Sequence, residues 1–302
     1  MKAMRIHDWG EAPRLEEMPE PVPRPGRTLV RMAATTVSHL DRSIAAGGFL
    51  RHPPLPYVPG VEASGTVLRS DSFAVGARVW LRGGGLGTTE DGTWREIISA
   101  PDAALGALPD TIATPLGAAF FSPCTAAWTS LFHVGALQDG ERVLISGASG
   151  AVGGVAVQLA RAAGAHVTTV EDGDDDPSLA FDLLVDAVGG APLAGLLARL
   201  APGGRAVLVG YTAGRRVELD LAELMQRDIS LLPLNMLRRE PEARAVAPEL
   251  LARLADGRLR LPLRLFALSE AAQAMSWIAE RGHRGRAVLQ SDDHACASAG
   301  ES

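Results

Sequence analysis

The chain of 302 residues contains only two cysteines, Cys124 and Cys296. Two cysteines are too few for a disulfide framework or for a zinc site with four thiolate ligands, and we expect Cys124 to be a small buried residue. No apolar run approaches the roughly 18 residues that a membrane-spanning helix needs. The first residues, MKAMRIHDWG, lack the apolar core of a signal peptide. We therefore expect a cytoplasmic protein with no membrane partner.

Positive charge is also scarce, with 29 lysines and arginines against 35 aspartates and glutamates and a formal net charge of −6. This balance does not favour a nucleic-acid partner. Hydrophobic residues make up 47% of the chain and charged residues 21%, which is typical of a globular protein. The length is sufficient for one large domain or two modest ones, and no internal repeat is visible.

Hydrophobic patterning divides the chain into regions of different character. Residues 1–117 are rich in proline and glycine and carry short strand-like runs such as TLVRMAATTV, ASGTVLRS and ARVWLR, which predicts an irregular β-rich domain. A helical stretch begins near Leu116 and leads into a second domain at 118–239. We expect the chain to return to the first domain over 240–290. The tail at 291–302 has little apolar content, and we predict it to be disordered.

Strands and helices alternate through the second domain. ERVLISGA, HVTTVE, FDLLVDAVG, RAVLVGY and ISLLPLN read as strands, and AVGGVAVQLARAAG, APLAGLLARL and LDLAELMQRD read as helices. Alternation of this kind predicts an α/β domain with a parallel, doubly wound sheet of the Rossmann type.

A glycine-rich turn between the first strand and the first helix is the strongest local signal. The run from Ala148 to Gly153 fits the dinucleotide-binding pattern with alanine at the first glycine position. Gly150 would permit close approach of a pyrophosphate, and Gly153 would allow tight packing of the helix on the strand. We therefore assign cofactor binding to Ser149, Gly150, Ala151, Val152 and Gly153. The alternative is a tight turn inherited from a fold that has lost its ligand.

An acidic residue at the end of the second strand bears on the choice of cofactor. Glu171 stands about 20 positions beyond the turn, where a carboxylate takes the ribose hydroxyls of NAD and repels the extra phosphate of NADP. The sequence therefore favours NADH over NADPH. In the alternative interpretation, EDGDDD is only a solvated loop.

The connection after the second strand is short. Only nine residues, Asp172 to Ala180, precede the strand FDLLVDAVG, whereas a crossover that includes a helix needs a dozen or more. We therefore predict that the sheet lacks its usual third strand and flanking helix. The strand HVTTVE would then lie at the edge, beside an acidic loop, and leave the adenosine end of the cofactor site unusually open.

Several segments in order resemble the medium-chain dehydrogenase/reductase superfamily, in its quinone-oxidoreductase-like branch. They are EAPRLEEMPEPVPRPGRTLVRMAATTVSHLD, PPLPYVPGVEASGTV, DGTWREII, SPCTAAWTSL, the glycine-rich turn and GHRGRAVLQ. The resemblance extends to about residue 290. It implies a GroES-like catalytic domain with a Rossmann domain inserted near its C-terminal end. It also implies a homodimer joined through the last Rossmann strand, here ISLLPLN.

The departures from the zinc-dependent members are informative. Ser38 stands where those members have a cysteine ligand, Val61 stands where they have a histidine ligand, and RGGGLGTTEDG lacks the four cysteines of the structural zinc lobe. The proton-relay hydroxyl of alcohol dehydrogenases aligns with Leu40, and a tyrosine found in some quinone reductases aligns with Ser43. We therefore predict no metal site and no zinc chemistry.

Hydride transfer without zinc depends on placement and on polar groups that polarise the acceptor. A conjugated carbonyl suits this chemistry, so we predict NAD(P)H-dependent reduction of an enone, an enoyl compound or a quinone, as a small-molecule substrate. The candidate catalytic residues are Ser38, His39, Asp41, Tyr57 and Asn235. Asp41 has the alternative role of capping the following helix, and Ser38 that of an ordinary turn serine. We expect Tyr57 to line the cleft and Glu62 to pair with a cation.

Further cofactor contacts are implied by the resemblance and by the ends of the predicted strands, which line the ligand crevice in an open α/β sheet. These residues are Thr125, Gly189, Gly210, Tyr211 and Arg286. Arg286 has the alternative of a solvated charge. Two rival functions remain open: a redox-silent member that catalyses a cyclisation or isomerisation or acts as a binding protein, and a non-enzymatic regulatory or structural protein.

Overall fold

The structure is a computed structural model that describes residues 1–48, 52–172, 179–280 and 282–291. The strands are β1 (Lys2–Arg5), β2 (Arg14–Glu17), β3 (Arg27–Val37), β4 (Glu62–Arg69), β5 (Arg78–Arg82), β6 (Ile97–Pro101), β7 (Leu105–Ala107), β8 (Arg142–Ser146), β9 (His166–Thr169), β10 (Phe181–Asp186), β11 (Leu200–Leu208), β12 (Ser230–Pro233), β13 (Leu263–Ala267) and β14 (Arg286–Gln290). The helices are α1 (His39–Ala45), α2 (Thr114–Ala119), α3 (Phe121–Trp128), α4 (Ala151–Ala162), α5 (Pro192–Leu197), α6 (Leu221–Gln226), α7 (Glu240–Ala255) and α8 (Ala271–Trp277), with a π-helix at Thr129–Val134.

The chain forms two compact units. The first unit comprises Met1–Phe121 with Pro262–Ser302, and the second unit comprises Ser122–Leu261. This is the predicted arrangement of one domain inserted into another, with shifted boundaries. None of the helices in the described residues combines the length and the apolar character needed to cross a membrane.

The first unit is built on a mostly antiparallel sheet with the strand order β13-β14-β3-β4-β5-β7, and β6 also pairs with β3. The long strand β3 is the centre of this sheet, because β14, β4 and β6 all pair with it in antiparallel register. Its core surrounds Trp94, whose indole Nε1 donates to the backbone oxygen of Thr36 at 2.8 Å. The C-terminal strand β14 thus places Arg286 close to the end of β3.

The second unit contains a parallel sheet with the order β12-β11-β10-β8-β9. The central strands are β8 and β10, and the middle of each is fully buried and apolar, at 143–145 and 183–185, as expected for a parallel sheet that is covered on both faces. From β8 the chain proceeds to β9 on one side and later to β10 on the other. The switch point of the topology, where ligands bind in open α/β sheets, therefore lies between β8 and β10.

Strand β9 lies at the end of this sheet, as predicted from the short connection that follows it. In the part of the chain that the structure describes, β9 pairs with β8 alone. It is shorter than predicted, because the backbone turns into a 3₁₀ helix at Val170–Asp172. Most of the predicted acidic loop falls at 173–178, outside the described residues, as does most of the tail predicted to be disordered.

Both domain boundaries lie later in the chain than predicted. The first unit ends at Phe121 and not at 117, and the chain leaves the second unit after Leu261 and not after 239. The second shift is the larger, because α7 belongs to the second unit. Helix α7 buries one face there, and the segment after it is tied to α4 by two hydrogen bonds, each of 2.9 Å, between the side-chain amide of Gln158 and the backbone of Arg260.

Candidate functional site

The turn between β8 and α4 has the backbone geometry expected of a dinucleotide-binding loop. Gly147 adopts a left-handed conformation with φ of +69°, and the N–H of Gly150 donates to its carbonyl oxygen at 3.0 Å. A Cβ added at Gly153 would overlap the carbonyl group of Gly147, so this position requires glycine for close packing of the helix on the turn. This is the role that we predicted for Gly153.

Gly150 is less confined than Gly153. A Cβ added at Gly150 would lie 3.3 Å from the carbonyl oxygen of Gly147, which is a close contact, and would meet no other non-neighbouring atom of the described residues within 4 Å. The φ of −76° suits any residue, so one side of this position faces open space. Open space above a helix N-cap is what a bound phosphate requires.

The first turn of α4 offers free hydrogen-bond donors beside this space. The N-cap residue Gly150 has no side chain to cap the helix, and among the described residues the N–H groups of Ala151, Val152 and Gly153 have no acceptor. These groups and the partial positive charge of the 12-residue helix are directed at the same point. This arrangement of donors is suited to a bound anion such as a phosphate.

Glu171 lies at the carboxyl end of β9 and reaches back to the turn. Its Oε1 accepts a hydrogen bond from the N–H of Ala148 at 3.1 Å, and the side chain is exposed. A carboxylate in this position can accept from the hydroxyls of a ribose placed over the turn, and it repels a phosphate there. Glu171 therefore lies beside the turn, and its contact with a ribose stays a prediction.

A buried pair that we did not predict joins the carboxyl ends of β8 and β10. Ser146 donates through Oγ to Oδ1 of Asp186 at 2.5 Å, and both side chains are almost fully buried. Asp186 also accepts from the N–H groups of Val188, at 3.1 Å, and Gly189, at 2.9 Å. The N–H of Ala187 donates to Ser146 Oγ at 3.1 Å. This pair therefore determines the course of the loop that follows β10.

The loops after β10 and β11 pack on each other through glycine. A Cβ at Gly189 would overlap the backbone of Gly210, and a Cβ at Gly210 would overlap the carbonyl group of Ala187. The N–H of Ala213 donates to Val188 O at 2.9 Å. The predicted residues Gly189 and Gly210 thus lie at the same edge of the sheet as the glycine-rich turn. Tyr211 is 48% exposed.

Two further predicted residues of the second unit occupy different surroundings. Thr125 is fully buried within α3. Asn235 is exposed and caps a local turn, because its Oδ1 accepts from the N–H groups of Leu237 at 3.0 Å and Arg238 at 3.3 Å. The side chain of Asn235 therefore has a structural role in the chain's path toward α7.

In the first unit, Ser38 and Asp41 form a capping box at the start of α1. The Ser38 hydroxyl donates to Asp41 Oδ2 at 2.5 Å, the Ser38 N–H donates to the same oxygen at 2.8 Å, and the Asp41 N–H donates back to Ser38 Oγ at 3.3 Å. This is the structural alternative that we considered for Asp41, and it includes Ser38 as well.

Asp41 is nevertheless not an ordinary capping residue, because only 1% of it is exposed and its Oδ1 has no hydrogen-bond partner among the described residues. Burial raises the pKa of this carboxyl to about 6, although the hydrogen bonds from Ser38 and the charge of Arg286 oppose the rise. Asp41 therefore exchanges a proton close to neutral pH.

The remaining candidates of the first unit are placed as follows. His39 is exposed, and its pKa is lowered to about 4, first by partial desolvation of the ring and then by nearby positive charges, so the imidazole is neutral at pH 7. Tyr57 is 1% exposed and packs in an apolar cluster with Ile6 and Ile44, so our prediction that it lines an open cleft was wrong. Burial raises the pKa of its hydroxyl, and that group has no partner among the described residues.

Glu62 pairs with a cation, as we predicted, and the cation is Arg286. The Arg286 guanidinium contacts Glu62 Oε2 through Nη2, which also donates to Thr36 Oγ1 at 3.1 Å. Arg82 lies 3.9 Å from Glu62 Oε1. Glu62 is fully buried and Arg286 is 7% exposed, so neither the cofactor contact nor the solvated charge that we considered for Arg286 describes it. Arg286 on β14 lies next to Glu62 on β4 and Thr36 on β3, because β14 and β4 both pair with β3.

The positions at which related enzymes hold zinc do not fit a metal in this chain. The Ser38 hydroxyl is bound to Asp41, and Val61 is 1% exposed within the apolar cluster of Ile6 and Ile44. Within the described ranges there is no group of three or more histidine, cysteine, aspartate or glutamate side chains that could hold a metal ion. The donor set at these positions therefore lacks the sulfur and imidazole ligands that zinc prefers.

Comparison with known proteins agrees with both halves of the fold. A family model described as an alcohol dehydrogenase GroES-like domain matches residues 24–110, and one described as a zinc-binding dehydrogenase matches residues 161–289. The chain is 27% identical over 327 aligned positions to quinone oxidoreductase of Sus scrofa, covering 96% of this chain and 97% of that protein. It is 26% identical over 273 positions to the Mus musculus quinone oxidoreductase, with 78% and 80% coverage.

Solved structures show the same fold. The quinone oxidoreductase from Thermus thermophilus, which was solved alone and in complex with NADPH, superimposes with a TM-score of 0.79 at 27% identity, over 96% of this chain and 100% of that one. A quinone oxidoreductase from Pseudomonas syringae gives a TM-score of 0.85 at 24% identity, over 96% and 99%.

Proposed function

We propose that this chain, which belongs to the medium-chain dehydrogenase/reductase superfamily and resembles its quinone oxidoreductases, is a reductase that transfers a hydride from NADH to a conjugated carbonyl compound. The acceptor class is an enone, an enoyl compound or a quinone. The relatives named quinone oxidoreductases support an oxidoreductase, and the proposal concerns the cofactor, the acceptor and the residues.

One observation carries the proposal: a helix N-terminus with three N–H groups that lack acceptors among the described residues lies beside Gly150, where an added Cβ would make one close contact, with the carbonyl oxygen of Gly147. Gly150 supplies the space, and Ala151, Val152 and Gly153 supply the donors. Side chains of the described residues do not fill this space, so the turn retains the features of a site for a diphosphate. Relatives named quinone oxidoreductases support a nicotinamide dinucleotide as the molecule that carries it.

The residues of the second unit would hold the dinucleotide in a defined orientation. The N–H groups of α4 would bind the pyrophosphate, and Glu171 would accept from the hydroxyls of the adenosine ribose. We favour NADH because the Glu171 carboxylate would repel a phosphate on that ribose. When bound, the cofactor supplies the hydride.

Ser38 and Asp41 would supply the proton that completes the reduction of a carbon–carbon double bond or a quinone. Addition of a hydride leaves a negative charge on the acceptor oxygen, and one proton neutralises the product. When Asp41 is protonated it can donate to Ser38 Oγ, which frees the Ser38 hydroxyl hydrogen for the acceptor. Ser38 and Asp41 together therefore form a proton-donating pair without a metal.

Fluorescence titration with NADH and NADPH tests the cofactor site. The chain should bind NADH at micromolar concentrations, and Gly150→Val should weaken binding about tenfold or more, because the added methyl groups occupy the space for a phosphate. Gly195→Val in α5 is a matched control, because a Cβ at Gly195 meets no atom within 4 Å. Equal affinity in the Gly150→Val and wild-type chains would show that the turn does not bind the diphosphate.

The same titration separates the reductase from its main rival. A redox-silent member of the superfamily, which the edge position of β9 favours, would bind neither NADH nor NADPH below the millimolar range. Turnover of a quinone or an enone with oxidation of NADH, undiminished by chelators, would then distinguish the proposed zinc-independent reduction from a zinc-dependent one.

We also propose that the chain is a homodimer joined through β12. This strand pairs with β11 alone in the described residues, so one of its edges is open. Large apolar side chains nearby in sequence are exposed: Leu221 by 68%, Met225 by 80% and Leu237 by 75%. Exposed apolar surface beside an open strand edge suits the interface that the family resemblance implies.

A further inference from the structure

A buried carboxylate stands at the switch point of the parallel sheet, at the end of β10. Asp186 is 1% exposed, and its hydrogen bond to Ser146 joins the carboxyl ends of β10 and β8, the two strands between which the topology reverses. Ligands of open α/β sheets bind in the crevice just beyond this point. Neither residue belongs to the anion-binding turn described above.

The hydrogen bonds around Asp186 are those of an ionised carboxylate. Ser146 Oγ accepts from the N–H of Ala187 and donates to Asp186 Oδ1. The other two partners are the N–H groups of Val188 and Gly189. All three partners are therefore donors, and a carboxylate that has lost its proton can only accept.

No cation balances this charge among the described residues, since none of the ion pairs found there includes Asp186. Glu62, the buried carboxylate of the first unit, differs because Arg286 contacts it directly. Among the described residues, the groups that hydrogen-bond to Asp186 are all neutral dipoles. A charge in such surroundings acts on other charges more strongly than an exposed one, because little water screens it.

The position of Glu171 indicates which end of the proposed dinucleotide lies near Asp186. Glu171 follows β9, and an acidic residue there binds the ribose of the adenosine half. The diphosphate at α4 separates the two halves of the cofactor. The nicotinamide half of a dinucleotide bound in this way would extend to the other side of β8, toward the ends of β10 and β11. This step rests on the proposed function, because it requires that the dinucleotide binds at the turn.

We propose that Asp186 acts electrostatically on the nicotinamide and favours the oxidised cofactor over the reduced one. The reduced ring is neutral. When it gives up a hydride, which is one proton and two electrons, to the acceptor carbon, the oxidised ring is left with a positive charge. A buried negative charge near the ring stabilises the oxidised form only, so it favours transfer of the hydride out of the cofactor. Asp186 also positions the loop after β10, but the charge is the property that distinguishes NAD⁺ from NADH.

The test measures the dissociation constants of NAD⁺ and NADH on the full chain by calorimetry and by fluorescence. Asp186→Asn removes the charge, and the ratio of the constant for NAD⁺ to that for NADH should rise about fivefold or more. Asp186→Glu keeps the charge and should keep the ratio, even if both affinities fall. The matched control is Asp182→Asn, which removes a carboxylate from the amino end of the same strand, where Asp182 Oδ2 accepts from the N–H of Arg142 at 2.8 Å. Its ratio should stay unchanged.

The ratio separates the charge from a merely structural role. If Asp186 only holds the loop, Asp186→Asn weakens both forms of the cofactor equally, and an unchanged ratio overturns the inference. If the wild-type chain binds neither form, the proposed function has failed, and the inference fails with it. If the asparagine variant does not fold, Asp186→Ser is measured in the same way. Serine also removes the charge, and it keeps a hydroxyl partner for Ser146 without adding an amide donor.

Discussion

Replacing Asp41 with asparagine tests whether the Ser38–Asp41 pair delivers the proton of the proposed reduction. Burial raises the pKa of Asp41 to about 6. About ten elevenths of the chains therefore carry the proton at pH 5 and about one eleventh at pH 7. If the protonated form is required, the rate of the reduction step should fall about tenfold between these two values and continue to fall at higher pH. Asparagine cannot release this proton, so Asp41→Asn should be slow at pH 5 and show no such decrease.

The assay is the single-turnover oxidation of NADH by a quinone or an enone, recorded from pH 5 to pH 8. Asp110→Asn is a matched control in the same unit, because the Asp110 side chain is 97% exposed. Its profile should follow that of the wild-type chain. A wild-type rate that is flat over this range, or an Asp41→Asn profile that keeps the tenfold decrease, would refute a proton transfer through Asp41.

The same carboxyl should also make stability depend on pH. The pKa of Asp41 is raised in the folded chain from an ordinary value of 3.8, so its favourable contribution is fully present below pH 3.8 and is lost as the pH rises through 6. Between pH 5 and pH 8 the wild-type chain should therefore lose about 1.4 kcal/mol of unfolding free energy relative to Asp41→Asn. Urea denaturation at the two pH values measures this difference. A wild-type chain that gains stability relative to the variant would contradict the burial argument.

Three further predictions concern other parts of the molecule. Glu171→Ser should raise the affinity for NADPH relative to NADH about tenfold, because it removes the carboxylate that repels the extra phosphate, and an unchanged ratio of dissociation constants would contradict this role. Arg286→Met should lower the unfolding free energy by about 3 kcal/mol in urea denaturation, because Glu62 loses its closest cation while Arg82 stays 3.9 Å away. Adding Glu62→Gln should restore most of that loss, whereas no recovery in the double variant would show that the pair is not the cause. Met225→Lys should shift the proposed dimer toward monomer in light scattering, and a wild-type chain that is already monomeric would refute the interface.

Local patterns were sufficient to predict the parallel-sheet unit. The glycine-rich turn, the apolar strands and the short link after β9 each lie within a few consecutive residues, so their geometry follows from neighbouring side chains and backbone preferences. The structure confirmed the strand at the edge and the packing role of Gly153 for this reason. The exit of the chain from this unit was predicted too early, since the pattern of α7 shows that one face is buried but not which unit covers it.

The buried polar pairs could not be predicted, because each depends on residues that are distant in sequence. Ser146 and Asp186 are 40 positions apart, and the strand VDAVG reads equally well with its aspartate in a turn. Arg286 and Glu62 are 224 positions apart and meet only because β14 and β4 both pair with β3. One feature of the sequence could have indicated the role of Asp186: it ends a strand and is followed closely by two glycines. The N–H groups of such a loop need an acceptor, and a carboxylate at the strand end can provide it.

In the first unit, the two positions that the family resemblance equates with zinc ligands carry side chains engaged within the protein. If Ser38 and Val61 differed from the zinc-binding members only in the ligand side chains, the surrounding side chains would have kept orientations suited to a cation. Instead, Ser38 is engaged by Asp41 within a capping box, and Val61 packs against Ile6 and Ile44. Restoring a cysteine and a histidine at these two positions would therefore remove a helix cap and place a polar ring in an apolar cluster, each at a cost of about 1 kcal/mol or more. We expect such a double variant to lose stability and to bind zinc weakly in metal analysis, and tight stoichiometric binding would show that the site has kept its metal geometry.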